Sequence, residues 1–73
     1  MRVPKQMNHK LRDRRQELGL TQKQVASRLY VTEQAYQRYE ILATCPNVIT
    51  AIQIARIFGT TVEELWGHLA PRN

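Results

Sequence analysis

The residues with the clearest chemical capacity lie between Thr32 and Ile41, in the segment T-E-Q-A-Y-Q-R-Y-E-I. At helical spacing, Gln34, Gln37, Arg38 and Ile41 share one side, with Tyr36, Tyr39 and Ala43 about 180° round. The polar set suits the major groove of DNA. A Gln amide can bond adenine bidentately, an Arg guanidinium can bond guanine, and the Glu33 carboxylate can accept from cytosine N4. The same side chains would serve equally as the solvated outer face of an amphipathic surface helix. Ala26 and Val31 bear on the choice. A small residue in the preceding helix and an apolar residue in a tight turn are what two closely crossing helices require, as in a DNA-binding helix-turn-helix.

Other chemistry finds little support. His9, His68 and the single Cys45 lie far apart and show no metal-ligand spacing, so no metal site is expected. Glu63 and Glu64 are adjacent on a helix and point in different directions, which suits a helix N-terminus better than acid–base catalysis. There is no glycine-rich phosphate loop. No catalytic residue is assigned, and no enzyme is expected. A chain of 73 residues must spend nearly all its apolar side chains on one small core, leaving no enclosed cavity for a cofactor.

The elements that would position these residues follow from caps and breakers. Asn8 can cap a first helix with Met7, Leu11 and Leu18 on one stripe, Arg14 covering apolar surface with its stem, and Gly19 as the stop. Thr21 can cap a second helix with Val25, Ala26 and Leu29 on its inner face, and Thr32 a third. After Pro46 the pattern predicts a helix from about Asn47 to Phe58, its inner stripe Val48, Ala51, Ile52, Ala55 and Phe58, ended by Gly59. Thr61 and Glu64 form a capping-box signature for a last short helix carrying Val62, Leu65 and Trp66. No segment alternates with a period of two. The expected fold is all-α, five short helices around one core, in a single domain over residues 1–73 with its core at about 8–69 and short flexible tails.

Charge is unevenly distributed. Of 11 Lys and Arg and 6 Asp and Glu, residues 1–28 carry eight basic and two acidic side chains, so the formal net charge of +5 belongs to the first part of the chain. A basic lobe attracts polyanions, chiefly nucleic acid or an anionic membrane surface, although a solvated helix face would look the same. No apolar run exceeds three residues, far short of the ~18 needed to span a bilayer. No secretory signal is legible, and a lone cysteine fits a reducing compartment, so the expected location is the cytoplasm.

From about Leu11 to Trp66 the sequence resembles the phage-repressor-like helix-turn-helix family, the Cro and lambda-repressor type of five-helix DNA-binding domain. The resemblance is carried by R-R-Q-E-L-G-L-T-Q-K-Q-V-A (14–26), V-T-E-Q-A-Y-Q-R-Y-E (31–40) and I-A-R-I-F-G-T-T-V-E-E-L-W (54–66). It implies that Thr32, Glu33, Gln34, Gln37 and Arg38 face base edges and the flanking backbone. It also implies that Gln22 meets a phosphate at the start of the second helix, where free N–H groups favour an anion. Thr21, Lys23, Arg12 and Arg28 are further phosphate candidates, with helix capping for Thr21 and plain solvation for the three cations as the open alternatives. Arg15 and Glu40 match a pair that commonly bridges the first helix to the end of the recognition helix, a structural role.

The departures from the family matter as much. Where the family usually has Asn-Gly followed by a basic residue, this chain reads Ile41-Leu42-Ala43-Thr44-Cys45. A left-handed turn residue and a phosphate contact are both missing from that pattern, so the third helix is expected to run on to about residue 42. Tyr30 stands where Gly is usual, which implies strain or an adjusted turn. Ile41, Leu42 and Ile49 form one candidate protein interface, and Trp66 with Leu69 another. The reading is a homodimeric, sequence-specific regulator of double-stranded DNA, most simply a repressor on a palindromic operator. Its alternative is a protein-interaction module, such as an antitoxin or antirepressor, whose partner binds the apolar loop.

Overall fold

The computed structural model describes residues 7–70; the expected tails fall mostly outside them. The described residues form five α-helices, α1 (His9–Glu17), α2 (Gln22–Leu29), α3 (Glu33–Glu40), α4 (Val48–Phe58) and α5 (Val62–Trp66), followed by a 3-10 turn over Gly67–Leu69. No strand is present among them. The fold class is all-α, as expected.

Each helix begins on a side chain that accepts from a backbone N–H otherwise left without a partner. Asn8 accepts from Leu11, Thr21 from Gln24, Thr32 from Ala35, Asn47 from Thr50 and Thr61 from Glu64. A reciprocal capping box forms at Thr21 and Gln24, whose side chain accepts from the Thr21 N–H at 2.8 Å. At Thr61 and Glu64, where the sequence signature stands, only the Thr61 half is made.

The helix ends share one device. In α1 the N–H groups of Gly19 and Leu20 donate to Gln16 and Arg15. In α2 Tyr30 and Val31 donate to Ser27 and Ala26, in α3 Leu42 and Ala43 donate to Tyr39 and Arg38, and in α4 Gly59 and Thr60 donate to Arg56 and Ala55. Each pair is a Schellman closure around one left-handed residue. Those residues are Gly19 (φ 70°), Tyr30 (φ 59°), Leu42 (φ 62°) and Gly59 (φ 68°). At Tyr30 the strained alternative is the one found, a tyrosine occupying the left-handed position. At the end of α3 the expectation is corrected. The third helix does not run on, because Leu42 supplies the left-handed residue that Gly would have supplied, and α3 stops at Glu40 with Ile41 as its cap.

The core is made by Leu11, Val25, Ala26, Leu29, Tyr36, Ile54, Ala55, Phe58 and Leu65, with Leu20, Val31, Tyr39, Ile57 and Trp66 packed around it. The Tyr36 and Tyr39 rings meet nearly at right angles, centroids 6.1 Å apart. Ala26 is 2% exposed, in keeping with the close approach of α2 and α3. Two stripes differ from expectation. In α4 the inner face is Ala51, Ile54, Ala55 and Phe58, and Val48 is 72% exposed; Val48 is the first residue of the helix and projects beyond the packed layer. In α1 the inward residues are Leu11 and Arg15, while Leu18 lies past the last turn and is exposed. Ala43, assigned to the inner side of α3, lies in the exposed loop after it. Arg14 does more than cover apolar surface, since its Nε donates to the Phe58 carbonyl at 2.9 Å and satisfies the C-terminal end of α4.

A left-handed backbone costs a non-glycine residue roughly 1–2 kcal/mol, and glycine offsets part of the gain by its greater freedom when unfolded. Tyr30→Gly is therefore expected to stabilise the domain by about 0.5–1 kcal/mol, since its exposed ring gives up no packing. Gly59→Ala, which has space for a methyl group but the same φ, should destabilise it by about 1 kcal/mol. Thermal melts of the two variants moving in the same direction would contradict this account of the helix ends.

Candidate nucleic-acid interface

The centre of the site is an ion pair, Arg15 with Glu40. The Arg15 Nε donates to Glu40 Oε2 at 2.6 Å and Nη2 donates to Oε1 at 3.2 Å, a two-pronged contact between α1 and the last residue of α3. Glu40 is 1% exposed and Arg15 9%. A third Arg15 nitrogen, Nη1, donates to the Leu20 carbonyl at 2.8 Å, which fixes the link between α1 and α2. The amide of Gln22, first residue of α2, donates to Glu40 Oε1 at 3.1 Å. On the backbone, the Asn8 N–H donates to the Glu40 carbonyl at 2.8 Å. One residue thus gathers the start of α1, the body of α1, the start of α2 and the end of α3. The hydrogen bond to Glu40 raises the Arg15 pKa despite its burial. Burial chiefly, and then the neighbouring Glu40 carboxylate, drives up the pKa of the Tyr36 hydroxyl, which is enclosed without a hydrogen-bond partner.

This clamp sets the two helices from which the candidate contacts project. Thr32, Glu33, Gln34, Gln37 and Arg38 are all exposed, and they occupy the first two turns of α3. The Thr32 hydroxyl is taken as a cap, accepting from Ala35 at 3.1 Å, while the other four side chains make no hydrogen bond or ion pair within the described residues. Ile41, placed with them by spacing, is half-buried at the helix end.

The phosphate candidates divide. Lys23 and Arg28 are exposed cations on α2 without an ion pair among the described residues. Thr21 is exposed, its hydroxyl committed to the cap. Gln22 is half-buried and turned towards Glu40, so its amide N–H is already engaged. Arg12 is drawn to Asp13 at 3.2 Å and lies beside Met7 and His9. Gln22 and Arg12 are thus partly engaged, each with N–H donors to spare, whereas Lys23 has no partner among the described residues. Sequence reasoning missed the Gln22–Glu40 and Asn8–Glu40 contacts, which join positions 18 and 32 residues apart, far beyond any local periodicity.

The two apolar patches meet. Leu42, Pro46, Val48, Ala51, Val62, Trp66 and Leu69 line one groove of about 360 Å³, completed by Thr44, Cys45 and Ala70, with no charged residue in its wall. Ile49, 66% exposed, and Ile41 lie outside that wall. Among the described residues no helix is long and apolar enough to cross a membrane, and no cluster of three His, Cys, Asp or Glu could hold a metal ion.

Two helices crossing closely around a small residue, joined by a tight turn and presenting the polar face of the second, define a helix-turn-helix domain. The helix-turn-helix family model matches residues 11–65. The chain belongs to that family, in its Cro and phage-repressor branch, and is thereby a DNA-binding regulator. No curated protein and no solved structure matches it.

Removing either partner of the clamp leaves the other charge buried and unpaired, at a cost of about 3–5 kcal/mol. Stability for a domain of this size is about 4–11 kcal/mol, so Arg15→Ala and Glu40→Ala should each lose a large part of it in urea. The double variant Arg15→Met with Glu40→Leu, which leaves no orphaned charge, should lose less than the sum of the two alanine variants. Full additivity would show that the charges do not depend on one another.

Proposed function

We propose that the domain represses transcription by occupying a palindromic operator as a homodimer, with α3 in the major groove. The observation that carries this reading is the face of α3: Glu33, Gln34, Gln37 and Arg38 are exposed and unengaged on a helix whose opposite side is locked by Tyr36 and Glu40. Rigid placement matters because a bidentate contact to a base edge tolerates little error in position. Gln34 and Arg38, one turn apart, suit purine edges, while Thr32, Glu33 and Gln37 flank them. Lys23 and Arg28 are assigned to phosphates, Thr21 and Gln22 to the backbone beside the start of α2, and Arg12 to a phosphate only after leaving Asp13. A domain seated in the major groove of an operator obstructs transcription by occupancy alone, and the expected setting is the reducing cytoplasm, where the exposed Cys45 thiol persists.

Dimerisation is assigned to the uncharged groove edged by Leu42, Trp66 and Leu69, with a second copy of the chain as its occupant. The surplus of positive charge lies in residues 1–28, so two copies can meet along this wall without opposing their basic lobes. The same groove supports a second reading, a module that binds another protein there, because the adjoining loop 41–45 offers no basic residue to DNA.

Selection of bound sequences from a random duplex pool tests the proposal, and an enriched palindrome is the expected result. On the selected site, Gln34→Ala or Arg38→Ala should cost about 1–3 kcal/mol and relax preference at one base pair per half-site. Lys23→Ala should weaken all sequences alike and lower the salt slope by about 1. Leu69→Glu should shift sedimentation from dimer to monomer. No enrichment by the parent protein would favour the interaction module.

A further inference from the structure

Tyr30 is the aromatic residue that the fold does not use. Tyr36 and Phe58 are buried and Tyr39 and Trp66 half-buried, whereas Tyr30 is 96% exposed. Its backbone is left-handed, at φ 59° and ψ 39°. All that this position supplies to the fold is two backbone bonds closing α2, from Tyr30 to Ser27 and from Val31 to Ala26. Glycine would make both without strain. The side chain therefore adds strain and an exposed ring, and it makes no hydrogen bond in the described residues. Strained residues of this kind cluster where a protein holds a ligand.

Its place in the chain says which ligand. Tyr30 precedes the cap of α3 by two residues, so its Cα lies within about 7 Å of that of Thr32. The exposed Thr32, Glu33 and Gln34 follow it, and the exposed Arg28 precedes it. A surface that receives the first turn of α3 therefore comes within the span of an exposed tyrosine side chain at position 30. We propose that Tyr30 contacts the DNA backbone, its phenolic hydroxyl donating to a phosphate at the edge of the major groove that receives α3. The contact deepens the DNA-binding reading above and rests on it. Tyrosine is a neutral donor to phosphate oxygens, and with two side-chain torsions it is ordered at little cost in entropy. It also gives this chain a backbone contact at the start of α3, where the loop after α3 has no basic residue to provide one at the other end.

Tyr30→Phe tests the hydroxyl alone, since it keeps both the ring and the strained backbone. Titrations of the 73-residue chain would use the best-bound duplex from a random pool and a shuffled duplex of the same composition, over a salt series. Tyr30→Phe should bind both duplexes about 3- to 10-fold more weakly, with an unchanged melting temperature. Its salt slope should also match that of the parent, because no charge has been removed. Tyr30→Gly should melt higher than the parent yet bind at least as weakly as Tyr30→Phe. If the parent binds DNA and both variants bind equally well, the contact is overturned while the DNA-binding reading stands. A parent that binds no duplex overturns both. Loss of self-association in sedimentation, with DNA affinity preserved, also overturns the proposal and assigns the ring to a protein interface.

Discussion

The buried carboxylate of Glu40 is the constraint around which the domain is arranged. A carboxylate taken out of water is costly unless its lone pairs are met by strong donors. Here the Arg15 guanidinium supplies two and the Gln22 amide a third. Meeting that requirement forces α1, the start of α2 and the end of α3 into one relative position, and the Asn8 N–H on the Glu40 carbonyl adds a fourth tie. Apolar packing would hold these helices together with more freedom to slide. A charge with directional partners has one good arrangement, which is the kind of placement that reading base edges demands.

Around that clamp the helices are short, and their ends carry much of the design. Four Schellman closures need four left-handed residues, and the chain provides only two of them as glycine. Leu42 and Tyr30 take the others. Leu42 turns its strain to some use, since its side chain enters the wall of the uncharged groove. Tyr30 has no such compensation inside the molecule. The two strained residues flank α3 on either side, so the helix carrying the candidate base contacts is bounded by the least relaxed backbone of the described domain.

Charge divides the surface of the described residues into two kinds. Lys23 and Arg28 are exposed cations on α2, the helix packed against α3, and their field favours an anionic partner. The groove between the loop 42–48 and the C-terminal elements has no charge at all. One surface is suited to a polyanion and the other to an apolar partner, and α3 ends where the second begins.

Local physics made much of this legible in the sequence. Asn8, Thr21, Thr32, Asn47 and Thr61 mark helix starts because a cap acts within three residues, and Gly19 and Gly59 mark ends because only the backbone is involved. The polar face of α3 was readable from spacing, and the family resemblance supplied the Arg15 and Glu40 correspondence. Tertiary structure decided the rest. Which residues of α4 are inside depended on where the helix meets its neighbours, so Ile54 replaced Val48. Whether α3 would stop at Glu40 depended on packing that makes a left-handed leucine at position 42 tolerable, which no propensity predicts. The engagement of Gln22 by Glu40 and the merging of Leu42 with Trp66 and Leu69 into one groove are contacts between distant segments, fixed only when the helices close on the core.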